Sequence, residues 1–169
     1  MSLQDKINIA ICGPVDAGKT TLIGVLTTGI LDNGNGSARS KILKHSHEKV
    51  TGRTSNITYN PIIYENTNNK LIIKNAKNGK LYKIKQIDYS QNNNDTKIIQ
   101  LIDLAGHEKY LKTTILGLSS ARPDICFIMI GANMGITRMT KEHIFLCITL
   151  GIPFIIIITK IDICKNRKN

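Results

Sequence analysis

Gly13-Pro14-Val15-Asp16-Ala17-Gly18-Lys19-Thr20 fits the spacing G-x-x-x-x-G-K-[ST], and the pattern on either side of it leaves few folds open. An apolar run at residues 7–12 precedes it and a helical pattern at 21–31 follows, so it reads as the loop between a strand and a helix. In that setting Gly13 and Gly18 let the backbone approach a phosphate, and the N–H groups at the start of the helix face it. Lys19 is placed to reach terminal phosphates and the Thr20 hydroxyl to hold Mg2+, while Val15, Asp16, Ala17 and Thr21 complete the cradle. Asp16 is open between two roles, holding the loop or a monovalent cation and capping a backbone N–H.

Apolar runs and helical patterns alternate through the rest of the chain. Strand-like runs lie at 81–87, 98–103, 125–130 and 154–159, and helical patterns at 110–119 and 141–150. This rhythm predicts an α/β fold with a mainly parallel sheet and helices on both faces. The runs 126–130 and 154–158 are continuously apolar, as strands in the middle of such a sheet are. Residues 81–90 and 96–103, joined by the polar turn 91–95, read as an antiparallel hairpin at one edge. Residues 32–59 and 66–80, rich in Gly, Asn and Lys, are expected to be surface segments without regular structure.

At 169 residues the chain has room for one domain with a proper core. No apolar stretch is long enough to span a bilayer, and the first residues lack a secretory pattern, which points to a cytoplasmic protein with no membrane partner. Four cysteines, Cys12, Cys126, Cys147 and Cys164, are scattered without metal or redox spacing and read as free thiols. His45 and His47 have no partners at metal-ligand spacing, which argues against zinc. The formal charge of +11 is concentrated: residues 37–85 hold eleven Lys or Arg against Glu48 and Glu65. Such a segment suits RNA or another polyanion, and equally suits a solvated lysine-rich surface.

Two further motifs select the nucleotide. Asp103-Leu104-Ala105-Gly106-His107-Glu108 follows a strand, where Asp103 can reach Mg2+ through a water and the Gly106 N–H can meet a γ-phosphate. Thr159-Lys160-Ile161-Asp162 ends another strand and resembles the [NT]-K-x-D guanine-recognition motif. A carboxylate at Asp162 can accept hydrogen bonds from the N1–H and 2-amino groups of guanine, a donor pair that adenine lacks, while the Lys160 stem packs along the base.

Gly-x-Val-Asp-x-Gly-Lys-Thr-Thr-Leu at 13–22, together with the motif at 103–108, resembles the translational GTPases of the elongation-factor superfamily. The strings at 24–27, 31–34, 51–55, 106–114, 139–143 and 159–162 narrow the resemblance to the GTP-binding protein 1 and 2 family, everywhere except about residues 62–82. The resemblance implies a P-loop switch that binds GTP or GDP with Mg2+, hydrolyses GTP slowly alone and faster on the ribosome, and handles aminoacyl-tRNA. By the same resemblance Lys19 neutralises the β- and γ-phosphates, and Thr20, Thr54 and Asp103 serve Mg2+. His107 then orients the attacking water.

Thr58, preceded by Ile57, competes with Thr54 for the switch position, since Arg53 stands where elongation factors often carry an apolar residue beside Val15. Forty-eight residues separate Thr54 from Asp103, more than in compact elongation factors, with a basic insertion at about 62–82. Only residues 163–169 follow the guanine motif, so the domain, spanning 1–169, is expected to be incomplete: the resemblance implies a further strand, a guanine-contacting loop and a helix. The competing reading is a weakly active GTP-binding module that docks RNA or protein through its basic segment.

Overall fold

The apolar run ahead of the glycine loop forms strand β1 (Asp5–Cys12), and the sheet grows outward from it. The computed structural model describes residues 5–43, 54–67, 70–77, 80–88 and 96–164. After β1 come α1 (Lys19–Thr28), the short α2 (Ser37–Ser40), β2 (Thr58–Thr67), β3 (Lys70–Lys77) and β4 (Lys80–Asp88). The chain continues through β5 (Thr96–Asp103), α3 (Leu111–Ala121), β6 (Ile125–Gly131), α4 (Arg138–Thr149) and β7 (Phe154–Thr159). Gly29, in the left-handed region, ends α1 three residues before the end of its helical pattern. Thr137 and Thr140 form a reciprocal capping box that starts α4 three residues before its pattern.

Seven strands lie in the order β4-β3-β2-β5-β1-β6-β7. β5, β1, β6 and β7 run parallel, and β2, β3 and β4 extend the sheet antiparallel at one edge. The α/β architecture with an antiparallel edge therefore stands, but the expected hairpin does not. β5 pairs with β2, from Thr58 opposite Asp103 to Glu65 opposite Thr96, and two strands separate it from β4. Residues 89–95 lie outside the described part of the chain. The two segments read as irregular also contain regular structure, namely α2, both ends of β2, all of β3 and the first residue of β4. Their polar composition is compatible with a meander whose inner positions are only half-buried, where Lys74 pairs with Glu65 across β2 and β3.

Both faces of the central strands are covered, which accounts for their continuous apolarity. On one face Ala10, Cys12, Ile102, Leu104, Cys126 and Ile128 pack with Leu118 of α3 and Cys147 of α4. On the other, Ile11, Leu101, Met129 and Ile62 pack with Ala17 and with Ile23 of α1. All four cysteines are free thiols, three of them buried. β7 departs from expectation: it is the sheet edge, not a central strand, and Ile155, Ile156 and Ile158 are about half exposed or more. No helix of the described residues is long and apolar enough to cross a membrane.

One core residue carries a proton-linked cost. His143 on α4 is fully buried, and neither ring nitrogen has a hydrogen-bond partner among the described residues. Burial first, and the charge of Lys19 second, push its pKa from 6.5 down to about 4. The unfolded chain therefore takes up the proton more readily, so this stability is complete above about pH 6.5 and is lost as pH falls toward 4. The expected loss is about 3 kcal/mol, read from urea unfolding at a series of pH values. His143→Leu should flatten that part of the profile, and an unchanged slope would contradict the assignment.

Candidate functional site

A parallel sheet brings the carboxyl ends of its strands to one rim, and the registers here show which loops meet there. Ile11 lies opposite Asp103, Cys12 opposite Ile128, and Gly131 opposite Thr159, so the loops after β1, β5, β6 and β7 leave the sheet together. β2 runs the other way, and its first residue, Thr58, is also opposite Asp103. The segment ahead of β2, carrying Thr54, is thereby delivered to the same rim.

Within the loop after β1, Asp16 and Gly18 take left-handed backbone conformations, and α1 begins without a side-chain cap. The N–H groups of its first turn are the ones a bound anion would engage. Lys19 is only 7% exposed, and its Nζ donates to the carbonyls of Gly13 at 2.9 Å and Pro14 at 2.8 Å. Burial lowers its pKa, against the raising effect of the nearby Asp103 carboxylate. An ammonium withdrawn from water and held by two neutral carbonyls gains from an arriving phosphate.

Three oxygen groups converge beside it. Thr20 Oγ1 donates to Asp103 Oδ2 at 2.9 Å, Thr54 Oγ1 donates to the same oxygen at 3.1 Å, and the two hydroxyls are 2.9 Å apart. Thr58 instead accepts from Asn60 Nδ2, so Thr54 is the threonine that the structure brings to Thr20 and Asp103. One carboxylate and two hydroxyls form a hard oxygen set of the kind that suits Mg2+ completed by phosphates and waters. Among the described residues no group of three His, Cys, Asp or Glu is arranged to hold a metal. His45, His47 and Arg53 lie outside the described residues.

Gly106 packs directly on the loop. A β-carbon there would meet Lys19 Nζ and come within 2.5 Å of the Gly13 carbonyl. His107 follows as the cap of a short turn, its Nδ1 accepting the Lys109 N–H at 3.1 Å. Thr114 donates to the Ala105 carbonyl at 2.8 Å and fixes the loop from behind. Val15, Thr20, Thr54, Gly106 and His107 line a small recess of about 40 Å³.

A larger cavity of about 460 Å³ opens beside the recess and shares Asp16, Gly18, Thr21 and Arg39 with it. Lys160 and Asp162 line its far side, as does Thr159, whose Oγ1 donates to the Ala17 carbonyl at 2.9 Å and ties the end of β7 to the glycine loop. Lys160 adopts a left-handed conformation and starts the turn Ile161–Ile163 that carries Asp162. A narrow polar recess joined to a wider, partly apolar chamber has the outline of a nucleotide, phosphates in one part and base in the other. Every residue singled out in the sequence for this site borders one of the two chambers or, like Asp103, hydrogen-bonds to a residue that does.

One wall was not anticipated. The Asp32–Arg39 segment borders the larger cavity through Asp32, Gly34, Gly36 and Arg39. Asp32 accepts from the N–H groups of Gly34, Gly36 and Ala38 and from Ser37 Oγ, and the Ala38 bond leads the contributions that hold its pKa below the usual carboxylate value. The one available signal was an aspartate two residues before a glycine, the pattern of a side chain folding back on its own backbone.

Known proteins resemble this chain over most of its length. The family described as Elongation factor Tu GTP binding domain matches residues 4–169. GTP-binding protein 1 of Xenopus laevis is 45% identical over 159 residues, covering 94% of this chain and 24% of that protein. GTP-binding protein 2 of Homo sapiens is 42% identical over 160 residues, covering 95% and 25%. Elongation factor 1-alpha of Methanobrevibacter smithii is 30% identical, covering 95% and 33%. A crystal structure of a bacterial selenocysteine-specific elongation factor superposes with a TM-score of 0.60 at 25% identity, covering 96% of this chain and 21% of that one. The chain thus spans about a quarter to a third of the length of these curated relatives.

The packing of Gly106 yields a direct test. Gly106→Ala forces Lys19 or the Gly13–Pro14 carbonyls to move, and overpacking of this kind costs about 1–3 kcal/mol. Urea unfolding should show that loss. A variant as stable as the wild type would mean that the contact is not closed in solution.

Proposed function

Because the chain belongs to the family of elongation factor Tu GTP-binding domains, we propose that it is a Mg2+-dependent GTPase in which Lys19, Thr20, Thr54, Asp103 and His107 act together. The convergence of Thr20, Thr54 and Asp103 within 3.1 Å, beside buried Lys19, is the observation that carries this reading. Thr20, Thr54 and Asp103 would hold Mg2+, which would supply positive charge to offset the negative charge that develops on the phosphates. Lys19 exchanges its two carbonyl partners for phosphate oxygens, and the N–H groups of the glycine loop wrap the β-phosphate. Thr54 enters on a separate segment, which makes it the group that couples the γ-phosphate to the chain ahead of β2.

His107 positions the attacking water. With Nδ1 accepting from Lys109, a neutral ring carries its proton on Nε2, the nitrogen left for that water. Phosphoryl transfer needs positioning and charge stabilisation more than covalent help, so this small set is chemically sufficient. Thr159, Lys160 and Asp162 select guanine at the other end of the cavity. Ile155, Ile156 and Ile158 leave apolar surface on both faces of edge strand β7 that a further strand and helix of such a domain would cover. The ribosome and tRNA are the proposed partners, with RNA met through the basic segment at residues 37–85.

Three measurements test this. GTP should displace labelled GDP while ATP does not, and equal displacement would mean that Asp162 does not read the base. Asp162→Asn should weaken GTP and favour xanthosine nucleotides, whose C2 carbonyl offers an acceptor to the new amide. His107→Ala should lower the single-turnover hydrolysis rate on the order of 100-fold, and an unchanged rate would remove His107 from the chemistry.

A further inference from the structure

Arg39 is the cationic side chain at the junction of the two chambers. It lines the small recess together with Lys19 and Thr20, and it lines the larger cavity together with Lys160 and Asp162. A group at that boundary faces the part of a nucleotide where the phosphate chain meets the ribose.

The chain around it is built to hold it there. Arg39 rides on α2, and α2 sits flush against α1 because Gly24 leaves no side chain between them: a β-carbon at Gly24 would come within 2.5 Å of the Ala38 carbonyl. Ala38 is fully buried in that contact. The guanidinium lies against Gly36, where a β-carbon would collide with Nε. Asp32, the nearest carboxylate in sequence, is occupied by Gly34, Gly36, Ala38 and Ser37. Arg39 forms no ion pair among the described residues, while being half-buried in a wall of the site. A planar, permanently charged donor that is held in place and lacks an internal partner is suited to a phosphate oxygen.

We propose that Arg39 is a nucleotide-binding contact to the α-phosphate side of the bound nucleotide, a clamp supplied in cis by α2. This rests on the guanine-nucleotide reading above, and it adds a residue that links the α1–α2 packing to ligand affinity. Since GDP and GTP share the α- and β-phosphates, the clamp serves both alike.

The test is equilibrium binding of fluorescent GDP and of a non-hydrolysable GTP analogue to the wild type, Arg39→Ala, Arg39→Lys and Gly24→Ala. Arg39→Ala should weaken both nucleotides on the order of 10-fold or more, and Arg39→Lys should recover part of that loss. Gly24→Ala, which pushes α2 away with the arginine still present, should weaken both nucleotides in the same direction. Circular dichroism with thermal melting establishes that each variant is folded, and the Arg39→Lys comparison reads the contact even if Gly24→Ala is not. A loss confined to the GTP analogue would place Arg39 on the γ-phosphate and overturn the assignment, as would no loss for either nucleotide. A wild type that bound neither would overturn this assignment and the guanine-nucleotide reading with it.

Discussion

The carboxylate of Asp103 is the point on which the site hangs. It is 1% exposed at the end of β5, and one of its oxygens accepts from both Thr20 and Thr54. Those threonines belong to segments that share no strand pairing with each other: one opens α1, and the other precedes β2. A buried anion without compensation is costly, so the folded chain keeps cationic Lys19 and two hydroxyls around it. The same requirement makes the cluster receptive to a divalent cation, whose charge would satisfy Asp103 better than hydroxyl donors do.

Sheet topology turns this local demand into a whole site. With β5, β1, β6 and β7 parallel, the glycine loop, the Asp103–His107 loop and the Thr159–Asp162 turn leave from one rim. Antiparallel β2 then brings Thr54 back to it. Gly106 and Gly24 mark two close approaches, one between the β5 loop and Lys19, the other between α1 and α2. Both are contacts of backbone on backbone or backbone on charge, where a single methyl group changes the geometry. On the proposed reading, packing behind the site matters to ligand binding as well as the groups that line it.

Much of this was legible in the sequence because the decisive residues sit at strand ends and in fixed spacings. Gly13 to Thr20, Asp103 to His107 and Thr159 to Asp162 each follow an apolar run, and the structure has a strand at each run. β2 was harder to read. It contains Pro61, which argues against a central strand, yet the pairing of β3 with β2 begins only at Ile62, so at Pro61 the β3 side of the strand is open. β3 lay in a stretch that reads as irregular, and its positions 72–75 are only half-buried, so no clean apolar face marks it in the sequence. In β7 the isoleucine run called for cover on both faces, which the described residues do not supply. The Asp32–Arg39 wall was missed for a different reason: the aspartate-to-glycine spacing marks the turn but not that the segment lines the cavity.

The dependence of affinity on Mg2+ tests the Asp103 cluster most directly. A fluorescent GTP analogue should bind the wild type on the order of 10-fold more tightly in Mg2+ than in EDTA, and Thr20→Ala should abolish most of that difference. Equal affinity with and without Mg2+ in the wild type would contradict the account, because Thr20, Thr54 and Asp103 would then be a hydrogen-bonded corner of the fold and not a metal site.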